Sequence, residues 1–380
     1  MIITRLQYEE YSGEEQEWRL ATVDFSEINL IVGKNSTGKS RVLGVISGLA
    51  RLVDGQQKIL YDNCAYEVGF SRDQDVFEYL LKIKKGVVID ERLRLNGKEL
   101  FSRDEQGEGR IWNEKTQEFL EFSIPNDILV LSAKRDRLQH SYIENFHTWA
   151  GRVRFYPFGT SLGREQLAQV PEVIALLNGE SAMDHSRLFD VYSRGFALWE
   201  EDYDKAILKD LELLGYPCTD VGVDQINIKG MKGFQLAAIY VHEVNLKSPT
   251  FQTVMSQGMF RALGMVIHLN YACFLGESRT VVIDDIGEGL DFERACLFVN
   301  LLIDRCQEHQ FQLFMSTNDR FVMNEVDLDH WCILHREGSL VQATTKRNSP
   351  ELFREFEFLG LNNFDLFSAG IFSAERGLRH

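Results

Sequence analysis

The stretch INLIVGKNSTGKSRVL, residues 28–43, constrains this chain more than any other part of it. An apolar run ends at Val32, gives way to glycine, lysine and small hydroxyl residues, and then resumes at helical intervals. Gly33, Gly38, Lys39 and Ser40 stand in the defining places of the phosphate-binding loop G-x-x-x-x-G-K-S. The residue types follow from the task. Successive backbone N–H groups must turn inward around an anion, and side chains at positions 33 and 38 would obstruct them. A helix opening at Lys39 adds unpaired N–H groups and the positive end of its dipole. Lys39 then reaches the outer phosphates and Ser40 holds magnesium. Asn35, Ser36 and Thr37 within the loop, and Arg41 just past it, complete the expected phosphate contacts.

At 380 residues and 44% hydrophobic content the chain can hold one large α/β domain with an inserted lobe, or two domains. Its formal net charge of −16 repels nucleic acid, so any DNA contact needs a local basic patch. The candidates are KRDR at 134–137 and GRVRF at 151–155, each first of all a solvated or salt-bridged face. Six cysteines show neither C-x-x-C pairing nor histidines at zinc spacing, which fits a reduced cytoplasm. No basic stretch followed by an apolar segment opens the chain, and the longest apolar helix candidate, 259–275, is interrupted by Arg261, His268 and Asn270. The expectation is a cytoplasmic protein without a membrane segment.

Along the chain, residues 1–62 read as two or three strands leading into the loop and its helix, the N-terminal part of a nucleotide-binding core. Residues 63–135 change to short alternating segments, with Asn96-Gly97 as a hairpin signal, and predict an antiparallel β lobe. Its last apolar run, ILVLSA at 128–133, reads as a strand returning to the main sheet. Residues 136–220 carry Leu, Phe, Trp and Tyr at helical intervals and predict a helical lobe closed by Gly215 and Pro217. Residues 221–348 bring short strand candidates (INIKG, GFQLAAIYV, FQTVM) and then the C-terminal part of the core; 349–380 is a Phe-rich segment. Phe353, Phe356, Phe358, Phe364, Phe367 and Phe372 there fit packing onto the chain's own core better than docking a partner.

Three more motifs follow in order. RTVVIDDIGEGLDFERA, residues 279–295, is a β-branched run ending in two aspartates. Asp284 at the strand end is placed to hold magnesium through water, and Asp285 to face the γ-phosphate and attacking water. Upstream, VMSQGMFRALGMVIHL begins a helix, with Ser256 as N-cap and Gly258 small in the first turn. Downstream, FQLFMSTNDRFV, residues 311–322, is another buried strand ending in polar residues, where open α/β sheets bind ligands.

This order of pieces resembles the ATP-binding-cassette ATPases, specifically the head-domain branch that includes the SMC, RecF and OLD-type proteins. The family's D-E-P-x-x-x-L-D segment is met by DDIGEGLD at 284–291, which matches both end aspartates and the leucine in register. Asp291 is thereby identified with the D-loop aspartate that contacts the opposite subunit. The signature, L-S-D-G-x-x-R in this branch, is matched by MSQGMFR at 255–261, so Ser256 and Gly258 carry over. The resemblance implies a P-loop NTPase fold, ATP and Mg²⁺ as cofactors, and ATP sandwiched between the P-loop of one copy and Ser256 of another, hence a homodimer or higher homo-oligomer.

Departures from the family pattern matter as much. The catalytic glutamate is replaced by Asp285, about 1.5 Å shorter in reach, and a small misplacement of a general base lowers rate by on the order of 100-fold. Slow turnover is therefore expected. Asn318 stands where the family has a switch histidine, and it can bond a phosphate but cannot carry positive charge. Glu288 as a substitute base falls in a loop. Gln139 is the weak choice for the Q-loop glutamine, against an exposed helix residue.

No long heptad segment separates P-loop and signature, and too little chain follows Asn318 for a Toprim nuclease domain. Such arm-less heads resemble the ATPase components of bacterial antiphage systems, which implies a separately encoded effector protein as partner. The alternative is a DNA-repair-type ATPase that clamps DNA, disfavoured by the net acidity. A small-molecule P-loop kinase is disfavoured by the signature and D-loop matches.

Overall fold

The structure, a computed structural model, describes residues 1–55, 59, 62–181, 183–226, 235–277, 279–359 and 361–368. The chain forms two compact units. The first comprises Met1–Phe155, Ser278–Asp284 and Gln310–His380; the second comprises Tyr156–Glu277 and Asp285–His309.

One sheet of fourteen strands, counted among the described residues, organises the first unit. The P-loop strand Ile28–Val32 is buried at every residue, as a central strand covered on both faces must be. It pairs in parallel with Gln312–Ser316 on one side and Trp331–Glu337 on the other, and Gln312–Ser316 pairs in parallel with Thr280–Asp284. The register sets Ile283 beside Met315, and Ser316 beside Ile31. Three strands therefore end together, at Val32, Asp284 and Ser316, at the carboxyl edge where such sheets bind ligands.

Ile2–Glu10 and Trp18–Asp24 precede the P-loop strand as expected. The six strands Asn63–Arg72, Asp75–Lys84, Val87–Leu95, Lys98–Arg103, Glu108–Asn113 and Glu118–Ser123 follow one another antiparallel. They extend the main sheet, because Ile2–Glu10 pairs with Asn63–Arg72. Asn96 and Gly97 both take positive φ, 50° and 78°, the backbone that a two-residue I′ hairpin needs.

ILVLSA departs from the expected strand. Residues Val130–Ala133 make a short helix, and the buried Glu91 carboxylate accepts the N–H groups of Val130 (2.8 Å) and Leu131 (3.3 Å). An apolar run this short suits either state, and a carboxylate at the helix N-terminus decides it. The strand that reaches the sheet edge is Val153–Pro157. The helix Ser141–Ala150, read with the helical lobe, belongs to the first unit.

The second unit holds the helices Val170–Leu177, Leu188–Leu213, Gln257–Leu275 and Phe292–His309. A small sheet accompanies them, made of Ala168–Gln169, Leu236–Glu243, Cys218–Ile226 and Thr250–Phe251. FQTVM yields only the two-residue strand Thr250–Phe251, and most of INIKG lies outside the described residues. Gly215 takes φ 75° just past Leu188–Leu213, as a helix stop. Gln257–Leu275 is long and apolar enough by composition to cross a membrane, yet it is the core helix of this unit. Its Asn270 donates to buried Asp210 at 2.8 Å, and Asp210 also accepts from Arg305 at 2.7 Å.

Cys64, Cys306 and Cys332 are buried free thiols, and Cys218 is a half-buried one. In the C-terminal segment Phe353 is fully buried and the Phe367 ring lies 6.4 Å from that of Trp331, so both pack on the chain's own core. Phe372 and the side chains of Phe356 and Phe358 lie outside the described residues.

Candidate nucleotide site

The P-loop closes on itself as its residue types demand. A methyl group at Gly33 would stand 2.6 Å from Thr37 Oγ1 and 3.0 Å from the Leu334 carbonyl, so only glycine fits. Gly38 takes φ 104°, a conformation L side chains avoid, and an added Cβ would meet the Trp18 ring at 3.1 Å. Ser36 also has positive φ, 67°, and Arg336 donates to its carbonyl at 3.2 Å. Thr37 Oγ1 donates to the Lys34 carbonyl at 2.9 Å. Lys39, only 7% exposed, turns its ammonium into the loop and donates to the Gly33 carbonyl at 2.9 Å. A cradle that any Cβ would fill, with an ammonium at its centre and a 16-residue helix opening at Lys39, fits a nucleotide polyphosphate.

Beside this cradle the sheet brings together residues far apart in sequence. Ser40 Oγ donates to Asp284 Oδ1 at 3.0 Å, and Ser316 Oγ donates to the same oxygen at 2.5 Å. A hydroxyl and a carboxylate in contact at a P-loop are oxygen ligands suited to Mg²⁺, so the donor set fits that ion. No cluster of three or more His, Cys, Asp or Glu able to hold a metal occurs among the described residues. Asn318, exposed, follows Ser316 at the same strand end.

Arg41, the third residue of the helix, has protein partners of its own. Its guanidinium pairs with Glu10 and stacks over Trp18, 4.7 Å from the ring centroid. Gln139 is likewise engaged elsewhere, since Asn113 donates to its side-chain oxygen at 3.0 Å.

In the second unit, Ser256 caps the helix Gln257–Leu275, its Oγ accepting the Met259 N–H at 3.2 Å while remaining exposed. Gly258 is buried against the 287–291 turn, where a Cβ would come 2.5 Å from the Gly289 carbonyl. Asp285 has φ 57° and its carbonyl accepts the Glu288 N–H at 3.1 Å; with Gly287 at 93° and Gly289 at 78°, the segment is a run of tight turns. Glu288 sits in that turn, exposed, as a loop residue. Asp291 is half exposed and accepts from the Arg294 amide at 3.0 Å and guanidinium at 2.6 Å, which hold its carboxyl below the usual range.

Two residues that organise these parts were not singled out in the sequence. Arg261, 2% exposed, donates to the carbonyls of Glu288 and Thr160, the latter at 3.0 Å, tying the helix to the turn before Asp291. Its place in the L-S-D-G-x-x-R pattern was the available signal. Ser316 was visible only as a hydroxyl at the end of a buried strand.

No protein-family model and no curated protein matches this chain. Among solved structures it is similar to an SMC head bound to the C-winged helix domain of ScpA, with 12% identity, TM-score 0.55, and coverage of 92% of this chain and 100% of that one. The SMC head domain from Thermotoga maritima shares 13% identity at TM-score 0.47, with coverage of 91% and 99%. The Pyrococcus furiosus Smc head with an extended coiled coil, bound to the C-terminal domain of ScpA, shares 12% at TM-score 0.49, with coverage of 93% and 99%. The first of these likenesses shows the architecture of the chain, an α/β fold of the SMC-head kind.

Proposed function

We propose that the protein is an ATP-binding, slowly hydrolysing ATPase of the SMC/RecF/OLD head type, in which ATP joins two copies of the chain. The contact between Ser40 and Asp284 carries this reading, because it sets a hydroxyl and a carboxylate together beside a lysine-centred phosphate cradle. Ser40 and Asp284 would hold magnesium, which supplies charge neutralisation between the β- and γ-phosphates. Lys39 binds the outer phosphates and the loop amides orient them. Asp285 orients the attacking water, and its short side chain keeps turnover slow. Asn318 donates to the γ-phosphate.

Ser256 and Asp291 are both exposed and so are available to a second copy. Val254 (72% exposed) and Phe292 (59%), their near neighbours in sequence, add apolar surface of the kind protein interfaces use. The joined state would then assemble with or control a separately encoded effector, in a role such as antiphage defence.

The test is size-exclusion chromatography with light scattering, with and without ATP and magnesium, on the wild type and Asp285→Asn. A larger species that requires ATP and persists in the variant is the expected result. An unchanged mass in every nucleotide condition, with ATP shown to be bound, refutes the ATP-joined dimer.

A further inference from the structure

The main sheet ends on an open edge. Glu118–Ser123 is its last strand, paired with Glu108–Asn113 on one side and with no strand on the other among the described residues. The Ile124 N–H donates to the Gly107 carbonyl at 3.0 Å, and the pairing of the two strands runs on from there without a register shift. Antiparallel alternation then turns the N–H and C=O groups of Phe119, Glu121 and Ser123 away from that neighbour, and none of them has a hydrogen-bond partner among the described residues. Natural sheets guard such an edge with proline, a bulge or charge. This strand has neither proline nor bulge, and every residue in it except Phe122 is exposed. What guards it is the charge of Glu118 and Glu121, which repels acidic segments and admits basic ones.

Period-two alternation sets Phe119, Glu121 and Ser123 on one face of the strand and Leu120 on the other. Along the first face runs a groove of about 1120 Å³, whose walls include Glu99, Glu108, Arg110 and Glu121. Its arginines are already engaged: Arg92 with Asp90 and Arg110 with Glu99, both at 2.8 Å, and Arg103 with the Ile128 carbonyl and the Asn126 side chain. The carboxylates of Glu108 and Glu121 have no partner among the described residues, so the groove's uncompensated charge is negative. Leu120, on the opposite face, is 38% exposed and offers apolar surface. We infer that this edge takes an extended segment of a partner protein as one more antiparallel strand, with lysine or arginine at alternate residues facing the groove and apolar residues between them facing Leu120. Side chains directly opposite in such a pair lie about 4.5–5.5 Å apart at Cβ, within reach of an ion pair to Glu121. A second copy's Glu118–Ser123 fits worse, because it would bring two more glutamates to an edge that already carries two. In the sheet order the edge stands ten places from the P-loop strand, so its occupation does not require the nucleotide site.

Fluorescence polarisation on the full chain tests this with a short labelled peptide of alternating lysine and valine, against a peptide of the same composition whose lysines stand in one block. Two variants separate the backbone from the charge, with far-UV circular dichroism as a fold control. Ser123→Pro removes one outward N–H and no charge, and proline is tolerated where an edge N–H faces solvent. Glu121→Lys reverses the charge that meets the peptide. The alternating peptide should bind saturably and more tightly than the block peptide. Ser123→Pro should weaken it about 5-fold or more, the loss of one hydrogen bond, and Glu121→Lys about 10-fold or more. No saturable binding, equal affinity for the two peptides, or affinity indifferent to both substitutions overturns the inference. A mass that doubles with protein concentration in the absence of nucleotide and peptide, and does not in Ser123→Pro, would assign the edge to a second copy and overturn it equally.

Discussion

Two glycines of one helix should respond in opposite directions to the same substitution. A methyl group at Gly258 would stand 2.5 Å from the Gly289 carbonyl oxygen and 3.2 Å from Leu290 Cδ2. That is roughly 1 Å inside an ordinary contact of about 3.5 Å, and the obstacle is backbone, which cannot rotate aside. Overpacking of this kind destabilises by about 1–3 kcal/mol, against a gain of about 0.5–1 kcal/mol from replacing glycine by alanine in a helix. At Gly264 the same methyl meets nothing nearer than Leu188 Cδ2 at 3.6 Å, so only the gain remains. Gly258→Ala and Gly264→Ala should therefore differ by about 2 kcal/mol, or roughly 4–8 °C in Tm for a unit of this size.

Differential scanning calorimetry measures the difference, taken on the transition that Gly264→Ala raises. The displaced 287–291 turn carries Asp291, so Gly258→Ala should also lose the ATP-dependent mass increase that Gly264→Ala retains. Equal stability of the two variants would show that the helix start and the turn are not packed as described, and the packing argument would fail.

Three further outcomes follow from the geometry. Burial pushes the Glu91 carboxyl up to about 7, against the hydrogen bonds of Val130 and Leu131 and the Arg103 charge. The native state then holds a proton that the unfolded chain has lost between about pH 4.5 and 7, so stability falls as pH rises through that window, by about 3 kcal/mol. Glu91→Gln should flatten this dependence in urea unfolding at pH 5 and 8; parallel profiles for the two proteins would contradict it. Ser316→Ala removes a hydrogen bond to the Asp284 carboxylate, of a kind worth about 1.5–3 kcal/mol. ATP affinity should drop about 10-fold or more with magnesium and stay level without it, and an equal loss in both conditions would argue against a metal role. Gly38→Ala forces an L side chain to φ 104° against Trp18, a strain of about 1–3 kcal/mol at the phosphate cradle. Nucleotide affinity measured by calorimetry should fall by at least about 10-fold, and unaltered binding would mean the loop does not hold phosphate.

What the residues announced on their own was local. The glycines and lysine of the P-loop, the Asn96-Gly97 turn, the Ser256 cap and the helix stop at Gly215 all depend on φ preferences and hydrogen bonds within a few residues. Such short-range energies are written in the order of side chains. Tertiary structure decided the rest. Val130–Ala133 is helical because Glu91, 39 residues earlier, receives its N–H groups. Asp284 meets Ser40 across 244 residues, as their shared magnesium assignment implied, but its second partner Ser316, 32 residues on, was not foreseen from the motifs. Arg41 pairs with Glu10 and stacks over Trp18, and the antiparallel strands prolong the main sheet because Ile2–Glu10 accepts them as neighbours. Each of these partners lies beyond the reach of local preference, so its choice waits on which long loops close and what burial then demands of the groups brought inside.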